Sequence, residues 1–246
     1  NVPRAVFTVD GFGTLTRLVR RTNSPAYSTT SVRSAASDAN NNFWGAGLAQ
    51  GTIYLGNARG ASTVDAGKAM QRVVDIANGD LYFTDQGQTG VHDPSGRVYR
   101  LTAGGKLERL IDNGPSPNGL VLDPDEKVLY VAMTRANCMW HLPLKDGGVA
   151  KAGVFGYLPG IHGPDGLAMD EDGNLAVCHA RVGIVWLLSP LGEPLFRIQA
   201  KGGVSRLTNA AYGGADRKTL YICDSYGGRI LEAKMPVAGV QLFSHC

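Results

Sequence analysis

Short apolar runs with strand chemistry recur along the chain at nearly constant spacing, each preceded by polar turn residues. They read Asn78-Gly79-Asp80-Leu81-Tyr82-Phe83, Asp125-Glu126-Lys127-Val128-Leu129-Tyr130-Val131, Asp172-Gly173-Asn174-Leu175-Ala176-Val177 and Asp216-Arg217-Lys218-Thr219-Leu220-Tyr221-Ile222. The anchor residues Leu81, Leu129, Leu175 and Leu220 stand 48, 46 and 45 residues apart. Around each anchor one plan returns: a short strand, a tight turn, the anchor strand, a Gly-containing loop and a third strand. Third strands are predicted at 97–101, 138–142, 184–188 and 229–233. Outer fourth strands are predicted around 107–111 and 195–198, after the turns Ala103-Gly104-Gly105-Lys106 and Pro190-Leu191-Gly192-Glu193. Four antiparallel strands per roughly 46 residues is the pattern of a β-propeller blade. A β-sandwich would not return to one register at this interval, and a βαβ fold needs helical periodicity that residues 70–243 lack.

Upstream of residue 70 the pattern degrades. Asp38 to Gly45 reads as a turn and an anchor strand, with Gly51-Thr52-Ile53-Tyr54-Leu55 as its third strand, which puts Phe43 only 38 residues before Leu81. The stretch from Thr22 to Ser37 is rich in Ser, Thr and Asn without apolar alternation and reads as loop. Val6-Phe7-Thr8-Val9 reads as a closing strand for the last blade. The expectation is therefore an all-β, six-bladed propeller forming one domain over 1–246, with a divergent or abridged part at 1–70 and clear repeats from 71 to 243.

Composition narrows the function classes. Of 246 residues, 43% are apolar, enough for a sizeable core, and no apolar run approaches the roughly 20 residues of a membrane helix. No membrane partner is expected. The net charge of +3 is concentrated in residues 1–70, but Arg17, Arg20, Arg21 and Arg33 lack interleaved aromatics and a platform to display them, so no nucleic-acid partner is expected either. The cysteines Cys138, Cys178, Cys223 and Cys246 form no CxxC pair and read as small buried apolar residues, which points to a reducing cytoplasm.

In a propeller the innermost strands line one channel and their first residues surround its mouth. Ten or eleven residues before each anchor stand Gln71, Asn118, Asp165 and Asn209, all oxygen donors, and oxygens converging on an axis suit a hard divalent cation. Asn-Gly and Asp-Gly are also turn dipeptides, but turn chemistry does not explain a shared register. The ends of the anchor strands return to the same rim with Asp85 and Gln86, Thr134 and Arg135, His179 and Arg181, and Asp224 and Ser225. A polar crown around an axial pocket follows. For His162 and His179 a loop role and a ligand-contacting role weigh about equally.

The segments Asn78 to Gly87, Ser95 to Leu101, Pro117-Asn118-Gly119-Leu120, Gly163-Pro164-Asp165-Gly166 and Thr219-Leu220-Tyr221-Ile222 together resemble the senescence-marker-protein/gluconolactonase/luciferin-regenerating-enzyme-like family, over about residues 70–243. The resemblance implies six blades, one divalent metal in the channel (calcium, or in some members manganese, zinc or iron) and hydrolysis of sugar or related lactones. It implies Asn118 and Asp165 as metal ligands, with Asp165 also handling protons. The chain departs from the family where a first-blade Glu and a second-blade Asn are expected. No Glu precedes Glu108, and register offers Val32 or Arg33 and Gln71 instead.

The reading that follows is a metal-assisted lactonase acting on a small-molecule lactone, with Asp165 as the proton-transfer group and Gln86, His162 and His179 orienting the substrate. The competing reading is a propeller scaffold that binds ligands or partners without catalysis.

Overall fold

The computed structural model describes residues 79–201 and 205–241 in full, together with Trp44, Ile76 and Ala77, and elsewhere the backbone of the strands up to residue 77. Strands β1 (Arg4–Val9) and β2 (Leu15–Arg21) form a hairpin. The next sheet runs β3 (Val32–Ser37), β4 (Phe43–Gly47), β5 (Gly51–Tyr54) and β6 (Ser62–Thr63), and the third runs β7 (Gln71–Ala77), β8 (Asp80–Asp85), β9 (Gly96–Leu101) and β10 (Leu107–Gly114). The fourth has β11 (Pro117–Leu122), β12 (Val128–Met133) and β13 (Cys138–Lys145), edged by β14 (Gly148–Val149) and β15 (Gly153–Tyr157). The fifth runs β16 (Leu167–Met169), β17 (Leu175–His179), β18 (Ile184–Leu188) and β19 (Pro194–Gln199), and the last β20 (Leu207–Gly213), β21 (Thr219–Asp224) and β22 (Arg229–Lys234). No helix among the described residues is long and apolar enough to cross a membrane.

The innermost strands neighbour one another in chain order, β3 beside β7, then β11, β16 and β20. This succession of meandering sheets about shared inner strands is a β-propeller. Its cores lie between sheets. Ala77, Tyr82 and Val98 of the third sheet meet Leu120, Leu129, Val131 and Leu142 of the fourth. The opposite face of the fourth sheet, with Val121, Ala132 and Met139, packs on Leu167, Leu175 and Val177 of the fifth. Ala176, Cys178 and Leu187 of the fifth then pack on Leu207, Leu220 and Ile222 of the last. Because successive side chains of a strand point to opposite faces, a strand buried on both faces must be apolar at every position. That is why the anchor strands read as apolar runs rather than alternating ones. All four anchors are second strands of their sheets, and Leu129, Leu175 and Leu220 are fully buried.

Two N-terminal expectations change. Val6 to Val9 belong to β1, which pairs with β2 and not with β22; a strand pairs more cheaply with its sequence neighbour than across the whole chain, because the loop to be closed is short. Val32–Ser37, expected as loop, is β3, with Ala35 opposite Gly45 and Ala36 opposite Trp44 in β4. Pairing with β4 overrides the missing alternation, as tertiary context commonly does for strands. Residues 22–31 and Cys246 lie outside the described residues.

Gly119 and Gly166 settle why Asn-Gly and Asp-Gly open the inner strands. Neither lies in the left-handed region where turn glycines sit. A Cβ on Gly119 would overlap the Asp165 carbonyl oxygen and stand 2.8 Å from Gly166 Cα; one on Gly166 would overlap Asn209 Oδ1 and stand 2.6 Å from Asn209 Cα. Each glycine lets the next blade's backbone come close. Gly119→Ala and Gly166→Ala should each destabilise the protein by about 2 kcal/mol through overpacking against backbone. Gly104→Ala, whose Cβ would have Thr102 Oγ1 as its nearest neighbour at 3.8 Å, should be neutral. Urea denaturation of the three variants checks this, and equal midpoints would refute it.

Candidate functional site

At one rim the inner strands are tied to each other by a chain of hydrogen bonds. Thr84 Oγ1 donates to the Asn118 carbonyl (2.8 Å), Gly119 N–H to the Asp165 carbonyl (3.0 Å) and Gly166 N–H to the Thr208 carbonyl (2.9 Å). Thr134 Oγ1 donates to the Pro164 carbonyl (2.7 Å), and Asn118 Nδ2 donates to Thr134 Oγ1 (3.2 Å). Within the fifth sheet Asp165 N–H donates to the Cys178 carbonyl at 2.8 Å, fixing the residue at the mouth of β16.

Above this rim opens a pocket of about 590 Å³, within the range of small-molecule sites. The residue five places after each anchor lines it: Gln86, Thr134, Ala180 and Ser225. The repeat seen in sequence thus delivers one equivalent position per blade to one cavity. Asp165, His162, Thr208 and three arginines, Arg135, Arg181 and Arg206, complete most of its wall.

Of the sequence-predicted site residues, Gln86, His162 and Asp165 line the pocket. The Gln86 amide is held in place by donating to Ser116 Oγ at 2.8 Å. Asn118 is buried one layer behind, its amide against Thr134. His179 is 1% exposed and stands outside the wall. Its Nδ1 accepts from Trp186 Nε1 at 3.3 Å, so the neutral ring carries its proton on Nε2, which is buried without a hydrogen-bond partner among the described residues. Burial pushes its pKa below the ordinary imidazole range; the adjacent His162 backbone opposes that push and the His162 ring adds to it. Asn209 turns its Oδ1 onto the Ala210 N–H, and its neighbour Thr208 faces the cavity.

A Ser225–His179–Asp224 relay does not form. Asp224 accepts from the Arg206 N–H (3.0 Å), the Gly227 N–H (3.1 Å) and Arg229 Nε (3.1 Å), which hold its carboxyl well below the usual range. Cys178 and Cys223 have thiols pushed up by burial, the state of core residues rather than nucleophiles.

Asn118 and Asp165 offer oxygen only, one amide and one carboxylate, a donor chemistry that fits a hard divalent cation. Among the described residues no group of three or more His, Cys, Asp and Glu gathers to hold a metal ion, at this site or at another. Sequence reasoning placed Arg135 and Arg181 on the crown without giving them a role, and it missed Arg206. The signal for the first two was their common offset of six residues from Leu129 and Leu175.

Residues 71–225, covering every described pocket residue, match the model of the SMP-30/Gluconolactonase/LRE-like region. The chain belongs to this family. Among relatives, a lactonase drp35 from Staphylococcus haemolyticus (strain JCSC1435) is 35% identical over 175 residues, 61% of this chain and 53% of that one. The chain spans about half the length of the curated relatives it matches or less, 39% for the lactonase drp35 of Staphylococcus aureus (strain MRSA252). A gluconolactonase structure from Xanthomonas campestris superposes with a TM-score of 0.72 at 22% identity, covering 95% of this chain and 79% of that one. A structure titled as the calcium-binding protein regucalcin, from Agrobacterium tumefaciens str. C58, gives 0.67 at 18% identity, covering 93% and 81%. Both superpositions bear on the fold, which they share.

His179 makes the site's stability depend on pH. Its folded pKa lies below the ordinary value of about 6.5, so its contribution is fully present above that pH and is lost as pH falls through the folded pKa. The melting temperature should drop between about pH 7.5 and pH 5, and drop less in His179→Gln, which cannot charge. Identical slopes in the two proteins would contradict this placement.

Proposed function

We propose that this family member hydrolyses a sugar or related lactone in the rim pocket. The observation that carries the reading is the convergence, within the family-matched segment, of Asp165, just ahead of inner strand β16, with the equivalent loop positions of four successive sheets on one small-molecule cavity. The names of the lactonase and gluconolactonase relatives support it. The same reading takes residues 1–246 as one propeller domain, its six sheets as six blades.

The net reaction adds water across the ring ester. The water oxygen bonds to the carbonyl carbon, the bond from that carbon to the ring oxygen breaks, and a hydroxy acid leaves. Asp165 takes the proton from the attacking water and returns it to the departing alkoxide. Gln86, its amide fixed by Ser116, and His162 orient the substrate hydroxyls. His179, buried beside His162, holds that side of the wall and acts on substrate through it. Asn118 and Asp165 would hold a divalent cation, calcium by the hardness of the donors, and a cation bound there would supply Lewis-acid polarisation of the lactone carbonyl.

Asp165→Asn keeps the side-chain shape and removes the base, so lactone opening, followed by pH indicator with calcium, manganese or zinc added, should fall about 100-fold or more. Equal activity in both proteins would remove Asp165 from the mechanism. No hydrolysis by the wild type with any of the three metals would overturn the lactonase reading.

A further inference from the structure

Arg135 and Arg181 occupy equivalent points of adjacent blades. Each is the middle residue of a single 3-10 turn that follows the anchor strand, Thr134–Ala136 after β12 and Ala180–Val182 after β17. The flanking backbones agree closely: Met133 and His179 have φ −99° and −102°, and the turns end in left-handed Asn137 (φ 55°) and Gly183 (φ 66°). In the last sheet the same offset from Leu220 falls on Tyr226. Over its ring, 5.9 Å from the centroid, lies the guanidinium of Arg206, which reaches the rim from just before β20. Three successive blades therefore each bring one guanidinium to a single pocket.

Among the described residues Arg100, Arg109, Arg217 and Arg229 are paired with carboxylates, whereas Arg97 and Arg197, outside the pocket, are not. Arg135, Arg181 and Arg206 have no carboxylate partner among the described residues, and Asp165 is the single acidic group among the described residues that line the cavity. Gathering three guanidinium groups around a cavity with a single carboxylate leaves a surplus of positive charge, whose mutual repulsion a bound anion relieves. Arginine is also the side chain whose planar fork matches the oxygens of a carboxylate or phosphate.

We infer that the pocket selects lactones bearing a second, negatively charged group, a carboxylate or a phosphate, that Arg135, Arg181 and Arg206 grip away from the ring carbonyl. This rests on the lactonase reading and names its substrate class. A neutral sugar lactone would reach Asp165 but leave the guanidinium groups uncompensated.

The test compares gluconolactone, its phosphorylated counterpart and the lactone of glucaric acid in wild type, Arg135→Ala and Arg181→Ala. Both arginine side chains are exposed in turns, so the variants retain the fold. The wild type should prefer at least one charged lactone by about tenfold or more in kcat/KM, the phosphate and carboxylate arms showing which group is read. Each substitution should raise KM for the charged lactone about tenfold more than for the neutral one, an excess that shrinks as salt is added. Arg109→Ala, which removes a charge far from the pocket in sequence and bonded to Asp112, should keep the wild-type preference. A wild-type preference for the neutral lactone, or equal losses on neutral and charged substrates, would overturn the proposal and assign the arginines to the reacting centre or to structure. Should no lactone be opened, calorimetry with glucarate and phosphogluconate decides separately. Binding that Arg135→Ala and Arg181→Ala weaken would uphold the anion site while the lactonase reading fails, and no binding would sink the anion site too.

Discussion

Close approach of neighbouring inner strands at one rim is the constraint on which the rest of the structure depends. Gly119 and Gly166 carry no side chain because the backbone of the following blade occupies the space a Cβ would need. With the strands that near, the Gly119 and Gly166 N–H groups reach the Asp165 and Thr208 carbonyls. The backbone at the rim is then satisfied by the neighbouring blade, helped by the Thr134 hydroxyl on the Pro164 carbonyl, and Gln86, Thr134 and Asp165 line the cavity above it. A substitution at these glycines acts on packing and on the site together.

The same geometry explains what the sequence disclosed. Sheets buried on both faces force apolar runs at a fixed interval, so the repeat, the anchors and the third strands from residue 71 onward were legible, including the outer strands around 107–111 and 195–198. Strand β3, Val32–Ser37, was not, because its short polar and small residues carry no alternation and its pairing is decided by β4. Register pointed to Asp165 and Gln86, which line the cavity, and to Asn118, which is buried and does not. It could not separate His162, which lines the cavity, from His179, which is sealed behind it against Trp186. That distinction depends on which way a loop turns its side chains, and no spacing encodes it. Arg206 escaped notice because it precedes β20 rather than following an anchor strand as Arg135 and Arg181 do; its guanidinium lies over the Tyr226 ring.

Charge divides the pocket. One carboxylate, Asp165, stands where inner strands meet, and three guanidinium groups stand on the loops of successive blades. Both signs of charge line one cavity, and the period sets the positions of Asp165, Arg135 and Arg181. The buried residues behind the wall, Asn118 on Thr134 and His179 on Trp186, keep that arrangement rigid. Asp224, anchored by two backbone N–H groups and Arg229, does the same for the loop that carries Ser225.

The central claim is that this rim pocket is where a lactone ring is opened. Crystals soaked with a lactam analogue, whose ring resists hydrolysis, test it most directly. The ring should lie in the pocket, with its carbonyl carbon one water molecule away from the Asp165 carboxylate and its hydroxyls toward Gln86 and His162. Analogue bound at another place, or a pocket left empty at saturating concentration, would contradict the account.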